Sequence, residues 1–525
     1  MRIDLSKRLY NLLRKEPHSL IHGYYDYDNN KIDDRVESLN LAEFNQPKIE
    51  KFIAAIEKAN HPSFKTPLRQ CKKWLEVLKD PLNTSVGSVS GFKTVMETYV
   101  KQTKSGYIYS LNEDGNYMPY CIEEVKATRD DDDGYYVFIK TKYIGTSLDR
   151  DEWSSRSKSF EEKSRYFYFY GDAFDEKLSL IDILSKQNLH IETQEYIDNY
   201  AMQIEDFKIL INKGQNKQYR GLGSALVSDG DRWYARNRWI SIDSNVILDA
   251  IPDELKRKAT VSGKKRRIPI HPYFKCFDLQ THKWCLLHPN SLEDYEYSKE
   301  QMDKLVLDQD LKDTLNKVLA SEAKFNDIIA NKGKAMIVLS TGVPGVGKTL
   351  TAEVYSEYHE MPLYKVQASS LGSKPEDIEK NLKITLERAY NWNAVLLIDE
   401  ADTYVMQRGT DLVQNVIVGI FLRLLEYYNG VLFMTSNRVD EIDNAIRSRS
   451  TLVINYQLPN DNQRHEIYKI LLKQNEFEYD ENELVQILPS SEGDSGRDIK
   501  NIIHKLLLLD LPLNLTNVEK VKKFM

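Results

Sequence analysis

The chain has 525 residues, with 72 Lys and Arg against 79 Asp and Glu, for a formal net charge of −7. At about 150 residues per domain this length suggests about three domains. The charge balance excludes a chain coated in positive charge but is compatible with a local basic patch. A hydrophobic share of 41 %, with only 23 Gly and 16 Pro, excludes a collagenous, mucin-like or globally disordered chain, and four Cys are too few to staple it.

The longest apolar runs, such as 394–398, end at a charge long before the ~20 residues a membrane span needs. No stretch reads as a secretory signal, and the expected location is the cytoplasm. The opening MRIDLSKRLYNLLRK places Leu5, Leu9, Leu12 and Leu13 at helical spacing among basic residues. That pattern suits a mitochondrial presequence or a surface helix. Asp4 and the scarcity of Ser and Ala favour the surface helix.

Next comes HGYYDYDNN (22–30), an aromatic and acidic loop that packs partly or touches a partner. Residues 46–81 read as two short helices broken at Pro62. The acidic run 130–133, ending at Gly134, reads as a solvated turn. Calcium would want alternating oxygen ligands along a longer loop with a distal Glu.

From 135 to about 289 the pattern changes to aromatic and β-branched runs of strand length: YYVFIKTKYI, SRYFYFYG, WISI and YFKCFDL. GLGSAL (221–226) reads as a turn, because it is glycine-poor for a phosphate loop and no Lys follows. KRKATVSGKKRR (256–267) holds seven basic residues and no acid. It is a solvated loop or a contact for phosphates of nucleic acid or an acidic partner. His271, Cys276, His282, Cys285 and His288 lack the close pairing of a zinc site. A hairpin turning at Gln280–Thr281, with half-buried thiols, fits them better.

The C-terminal part carries chemistry. AMIVLS (335–340) fits a buried parallel strand. It feeds Gly342, Val343, Pro344, Gly345, Val346, Gly347, Lys348 and Thr349, a GxxxxGK[ST] loop. The glycines let the loop turn its amides inward, and the helix it opens, continuing through Leu350, favours anions at its N-terminus. Lys348 is placed to reach β- and γ-phosphates, and the Thr349 hydroxyl to hold Mg²⁺. Fifty residues on, a second strand ends in Asp399 and Glu400. At such a strand end Asp399 can orient the Mg²⁺ hydration shell and Glu400 can polarise an attacking water. A third strand, 430–437, ends in Asn437, placed to touch the same water or the γ-phosphate. Arg447 and Arg449 follow at the end of a short helix, where an Arg can face a neighbouring subunit's phosphate.

These residues resemble an ATPase of the AAA+ superfamily, nearest the AAA type of uncharacterised fungal and bacterial proteins with a long N-terminal region. The motifs that carry the resemblance are GVPGVGKT (342–349), LLIDEAD (396–402), TSNR (435–438), AIRSRS (445–450) and SGRDIKN (495–501). The resemblance implies an α/β P-loop NTPase core with a small helical C-terminal lid. It covers roughly residues 295–525. By family pattern Gly342 to Leu350 bind ATP, Thr349 and Asp399 serve Mg²⁺, and Glu400 and Asn437 are catalytic. Arg449 is the finger supplied in trans, with Arg447 second to it, and Arg497 approaches from the lid.

Two departures are visible. Many AAA members have a GRFD-like arginine pair where this chain has RSRST, which favours one finger over two. Many also carry an aromatic-Gly pore loop, where ASSLGSKPEDIEKNL (368–382) offers only Leu371–Gly372. Threading by an aromatic grip is therefore not expected, and a different remodelling action stays open.

The expected organisation is a mixed helical region (1–134), a β-containing partner or substrate domain (135–290), the nucleotide core (291–456) and the lid (457–525). The expected activity is Mg²⁺-dependent ATP hydrolysis that remodels a protein partner, in a homo-oligomer, most simply a hexameric ring. A nucleotide-gated scaffold and a DNA- or RNA-linked ATPase are the alternatives.

Overall fold

The computed structural model describes residues 2–5, 37–40, 46–79, 88–89, 92–93, 96, 100, 105–130, 134–146, 148, 160–174, 178–214, 216–229, 236–250, 268–320, 335–409, 412–439 and 441–524. Two compact units divide the chain, Met1–Tyr295 and Glu296–Met525.

In the first unit, β1 (Arg2–Leu5) pairs antiparallel with β2 (Glu37–Asn40). The helix expected over the opening residues is thus replaced in its first turn by a strand. A short isolated helix is marginal, whereas the ladder with β2 satisfies the backbone at once. The remainder of that stretch, the aromatic loop 22–30 and the basic run 256–267 lie outside the described residues.

Helices α1 (Gln46–Ala59) and α2 (Lys65–Lys79) flank a single 3₁₀ turn that opens at Pro62. On α1 the buried Ile49, Phe52, Ile53 and Ile56 form one apolar stripe at helical spacing.

A five-stranded antiparallel sheet follows, from β3 (Tyr107–Leu111), β4 (Tyr117–Asp130), β5 (Gly134–Thr146), β6 (Phe160–Tyr170) and β7 (Leu189–Ile191). Its order is β6-β5-β4-β3-β7. Alternation decides its faces. Val125, Val137, Ile139, Phe167 and Phe169 point into a core, while Tyr166, Tyr168 and Tyr170 are exposed. Asp130 and Gly134 are a cross-strand pair closing β4 on β5. The division drawn between residues 134 and 135 therefore falls inside one sheet.

Helices α3 (Leu180–Lys186) and α4 (Gln194–Lys213) lead to a second sheet. It comprises β8 (Gln218–Asp229), β9 (Arg236–Leu248), β10 (Phe274–Asp278), β11 (Trp284–Leu287) and β12 (Leu292–Asp294). Strands β8 to β11 pair in sequence, and β11 pairs back onto β8, closing a small barrel.

GLGSAL is the middle of β8 rather than a turn. Its glycines admit close neighbours, since a Cβ on Gly223 would lie 2.6 Å from Thr66 Oγ1. The β10–β11 hairpin forms as expected, but Cys276 and Cys285 sit opposite each other with thiols fully buried, not half-buried. They share the barrel core with Phe207 of α4, Val246 and Phe274. His271 Nε2 bonds Pro119 O and His288 Nε2 bonds Gln203 Oε1, so these rings have structural partners.

The second unit opens with a 3₁₀ helix (Lys299–Lys304) and α5 (Gln309–Ala320), after which strands and helices alternate. The strands are β13 (Met336–Gly342), β14 (Leu363–Gln367), β15 (Val395–Asp399), β16 (Val431–Ser436) and β17 (Leu452–Tyr456). All their pairings are parallel, in the order β14-β15-β16-β13-β17. Helices between them are α6 (Lys348–Tyr358), α7 (Pro375–Asn391), α8 (Asp402–Val405), α9 (Leu412–Leu425) and α10 (Asn444–Arg449). The inner strands β13, β15 and β16 are buried almost throughout, because helices cover them, whereas the edge strands β14 and β17 keep exposed positions.

Four helices close the chain: α11 (Asp461–Gln474), α12 (Glu481–Ile487), α13 (Gly496–Leu508) and α14 (Leu515–Lys522). They hold a core of their own around Tyr468, Leu472, Leu484, Ile499, Ile503 and Val518. Among the described residues no helix is long and apolar enough to cross a membrane.

Candidate nucleotide site

The parallel sheet changes direction of growth at β13, which lies between β16 and β17. Crevices at such a point, outside the carboxyl ends of the strands, are where open α/β sheets bind ligands. The loop from Gly342 to Gly347 leaves β13 there. Gly342 has φ 139°, and a Cβ on it would collide with Tyr456 O. Gly345 has φ 84°, and a Cβ there would collide with Ser495 Oγ. Both positions need glycine for backbone and for space.

Lys348, the first residue of α6, is only 8 % exposed. Its Nζ donates to Gly342 O and Val343 O at 2.8 Å each and to Asn437 Oδ1 at 2.9 Å. Burial lowers the Lys348 pKa; Asp402 and Asp399 oppose that shift, and Arg497 adds to it. The loop lysine and the polar end of β16, 89 residues apart in the chain, thus meet directly.

Asp399, ending β15, accepts at Oδ1 from Thr349 Oγ1 at 3.0 Å and from Thr435 Oγ1 at 2.6 Å. Its other oxygen lies 3.5 Å from Lys365 Nζ. Glu400 follows with φ 56°, a left-handed conformation that non-glycine residues seldom adopt. Its N–H donates to Thr435 Oγ1 at 2.9 Å, which fixes the turn, and the residue is exposed.

Arg497 reaches the loop through the first turn of α13, where its N–H donates to Gly345 O at 3.2 Å. Val343 and Leu350 are exposed beside the loop, and Val346 packs on the sheet core.

Arg449 is not gathered round Lys348. Nη1 donates to Ala445 O of its own helix at 3.4 Å, Nη2 lies 3.9 Å from Glu426, and the side chain is 38 % exposed. Arg447 is tied back, donating to Val439 O at 2.5 Å. The segment compared with a pore loop begins with a 3₁₀ turn, Ala368–Leu371. Its Leu371 is buried, and Leu371 O accepts from Asn381 Nδ2 at 3.0 Å, so Leu371 is an anchor rather than an exposed grip.

Four further residues build the site. Asp402 Oδ1 accepts from Ser436 Oγ at 2.5 Å and from the N–H of Asn437 at 3.1 Å, so it positions Asn437. Thr435 bridges Asp399 and Glu400. Lys365 contacts Asp399 from the neighbouring strand. Asp402, Thr435 and Ser436 all lie within the sequence motifs, at offsets of three, two and one from Asp399 or Asn437, but their hydroxyl and carboxylate partners depend on strand adjacency. Lys365 lies in no motif.

The donor set suits Mg²⁺ with phosphates. A threonine hydroxyl and one carboxylate are hard oxygen ligands, and this ion takes few protein ligands and keeps waters or phosphate oxygens. A glycine loop at a helix N-terminus with an ammonium in its mouth suits the phosphates.

Residues 338–458 match the family described as ATPase family associated with various cellular activities (AAA). Those residues are an AAA domain, and with it the AAA+ superfamily resemblance is established. A 26S proteasome regulatory subunit homologue of Methanothermobacter marburgensis is 29 % identical over 180 residues, 33 % of this chain and 48 % of its own. The ATP-dependent zinc metalloprotease FtsH of Mycoplasmopsis synoviae is 28 % identical over 192 residues, 33 % of this chain and 28 % of its own. A katanin p60 ATPase-containing protein of Mus musculus is 30 % identical over 188 residues, 33 % of this chain and 38 % of its own. The chain therefore spans about half or less of each relative's length. The AAA domain carries the P-loop α/β fold, and its family is one of ATPases.

Proposed function

We propose that the AAA domain binds ATP with Mg²⁺ and hydrolyses it, and that the cycle remodels a protein partner. The observation that carries this reading is the meeting of Lys348, Asn437 and the Thr349–Asp399 pair at the ends of three adjacent strands. In this reading residues 342–350 cradle the nucleotide, with Lys348 on the β- and γ-phosphates and Arg497 approaching from α13. Thr349 and Asp399 hold Mg²⁺, which when bound supplies charge neutralisation at the phosphates. Glu400 takes the proton side of water attack, and Asn437, fixed by Asp402, orients that water.

Arg449 serves a neighbouring copy, in a ring most simply of six. Its exposure and its weak tie to Glu426 support that role. Residues 457–525 act as the lid on the core of 291–456, while residues 1–290 recognise the partner. Two relatives support a protein partner, because their names attach the domain to a proteasome and to a protease. The cytoplasm is the expected setting.

Glu400→Gln should keep ATP and lose turnover, and with ATP it should retain the partner for identification after purification. If it releases the same proteins with and without ATP, and the wild type does too, nucleotide-driven remodelling is wrong.

A further inference from the structure

Lys365 stands on β14, where parallel pairing sets it opposite Leu397, two residues short of Asp399. Its long stem carries Nζ to 3.5 Å from Asp399 Oδ2 and 3.3 Å from Glu353 Oε1 on α6. Asp399 spends its other oxygen, Oδ1, on the hydroxyls of Thr349 and Thr435. The carboxylate that suits the divalent cation thus already has an ammonium on its far side. Asp399 is 17 % exposed at its side chain, which limits screening by water, while Lys365 at 41 % can move. Glu353 offers the ammonium a second place to rest.

We propose that Lys365 is a counter-cation built into the nucleotide site, which competes with the divalent cation for Asp399 and which Glu353 draws away. The inference rests on the Mg²⁺–nucleotide reading above.

Two like charges this close in a partly buried site repel strongly, so the resident ammonium weakens Mg²⁺ binding by roughly tenfold relative to a neutral side chain. The site then rejects the bare cation and fills only when phosphates add negative charge. It also loosens its hold once the γ-phosphate has gone. Lys365 is therefore a positioning residue that acts through Asp399 and through charge, not a group that touches the reacting atoms.

The test is equilibrium binding of a fluorescent ADP analogue to the full chain, titrated with Mg²⁺. Lys365→Met should lower the Mg²⁺ midpoint by roughly tenfold, while Lys365→Arg, which keeps the charge, should stay within about threefold of wild type. Glu353→Gln should move the midpoint the other way, because Lys365 is then left to Asp399 alone. Damage to the fold weakens binding in either variant and cannot produce shifts of opposite sign. A Lys365→Met midpoint that is unchanged or raised overturns the inference while the nucleotide reading stands. A wild-type chain that binds no analogue at any Mg²⁺ concentration overturns both.

Discussion

Lys348 carries a charge into a place where burial opposes it, and the loop answers with two carbonyls and the Asn437 amide oxygen. Asn437 in turn depends on Asp402, which holds its N–H and the neighbouring Ser436 hydroxyl. Asp402→Ala leaves these donors without that acceptor and frees Asn437. Losing a hydrogen bond to a charged group costs about 1.5–3 kcal/mol, so kcat should fall about tenfold or more. ATP affinity should change little, because the loop amides and Lys348 remain. Steady-state kinetics beside calorimetric ATP binding separate the two, and a loss confined to affinity would contradict this placement.

The loop residues are legible in the sequence because they form one motif of eight consecutive letters. Asp399 and Glu400 are legible as an acidic pair ending an apolar run. Lys365 is not, because only the pairing of β14 with β15 brings it to Asp399.

At the scale of elements, the first turn of α13 fixes one wall of the site. Ser495 caps that helix in a reciprocal box with Asp498, and its neighbour Arg497 bonds the loop at Gly345. Ser495→Ala should cost about 1 kcal/mol of stability, as lost caps do. Urea denaturation should show it as a lower midpoint at unchanged slope, and an unchanged midpoint would remove the cap from the account.

In the antiparallel unit, His190 on β7 is pushed down to about 4 and His271 to about 3, in both cases chiefly by burial. His288 is driven well below its usual range by burial and then by Arg69. Each is neutral in the fold but takes a proton near pH 6.5 when unfolded. A lowered folded pKa means the unfolded chain binds more protons below 6.5. Stability is thus full above that pH and declines as pH falls from 6.5 towards 4. Thermal melting should therefore drop between pH 7.5 and pH 5, and replacement of His190 by a neutral aromatic should reduce that drop.

The same unit marks where sequence reading stops. Alternation in β5 and β6 announces strands, and Pro62 announces the helix break. GLGSAL misleads, because glycines that permit close packing inside a barrel look like glycines that permit a turn. Barrel closure through β11 and β8 joins residues about 60 apart and leaves no local mark.

At the scale of the whole molecule, the nucleotide site has cations from the loop and from α13, while Arg449 bonds its own helix and lies beside Glu426. An arginine supplied in trans contributes roughly 10³ to 10⁵ in rate in well-studied GTPases. Contacts of that kind are head to tail, and when they close they make rings. Arg449→Ala should bind ATP yet hydrolyse it slowly, by about 10³-fold if the finger acts at the low end of that range. Mixing it with Lys348→Ala should restore part of the activity, since one copy supplies the finger and the other the pocket. Light scattering should find the ATP-bound Glu400→Gln protein larger than the protein without nucleotide. A monomer that hydrolyses at full rate without Arg449 would end the ring reading.

The most direct measurement is phosphate release from ATP and Mg²⁺ by the wild type, Glu400→Gln and Lys348→Ala, each assembled at micromolar concentration and offered candidate partners. The account predicts turnover in the wild type alone, with ATP still bound to Glu400→Gln and lost from Lys348→Ala. Wild-type release no greater than that of Lys348→Ala would contradict it.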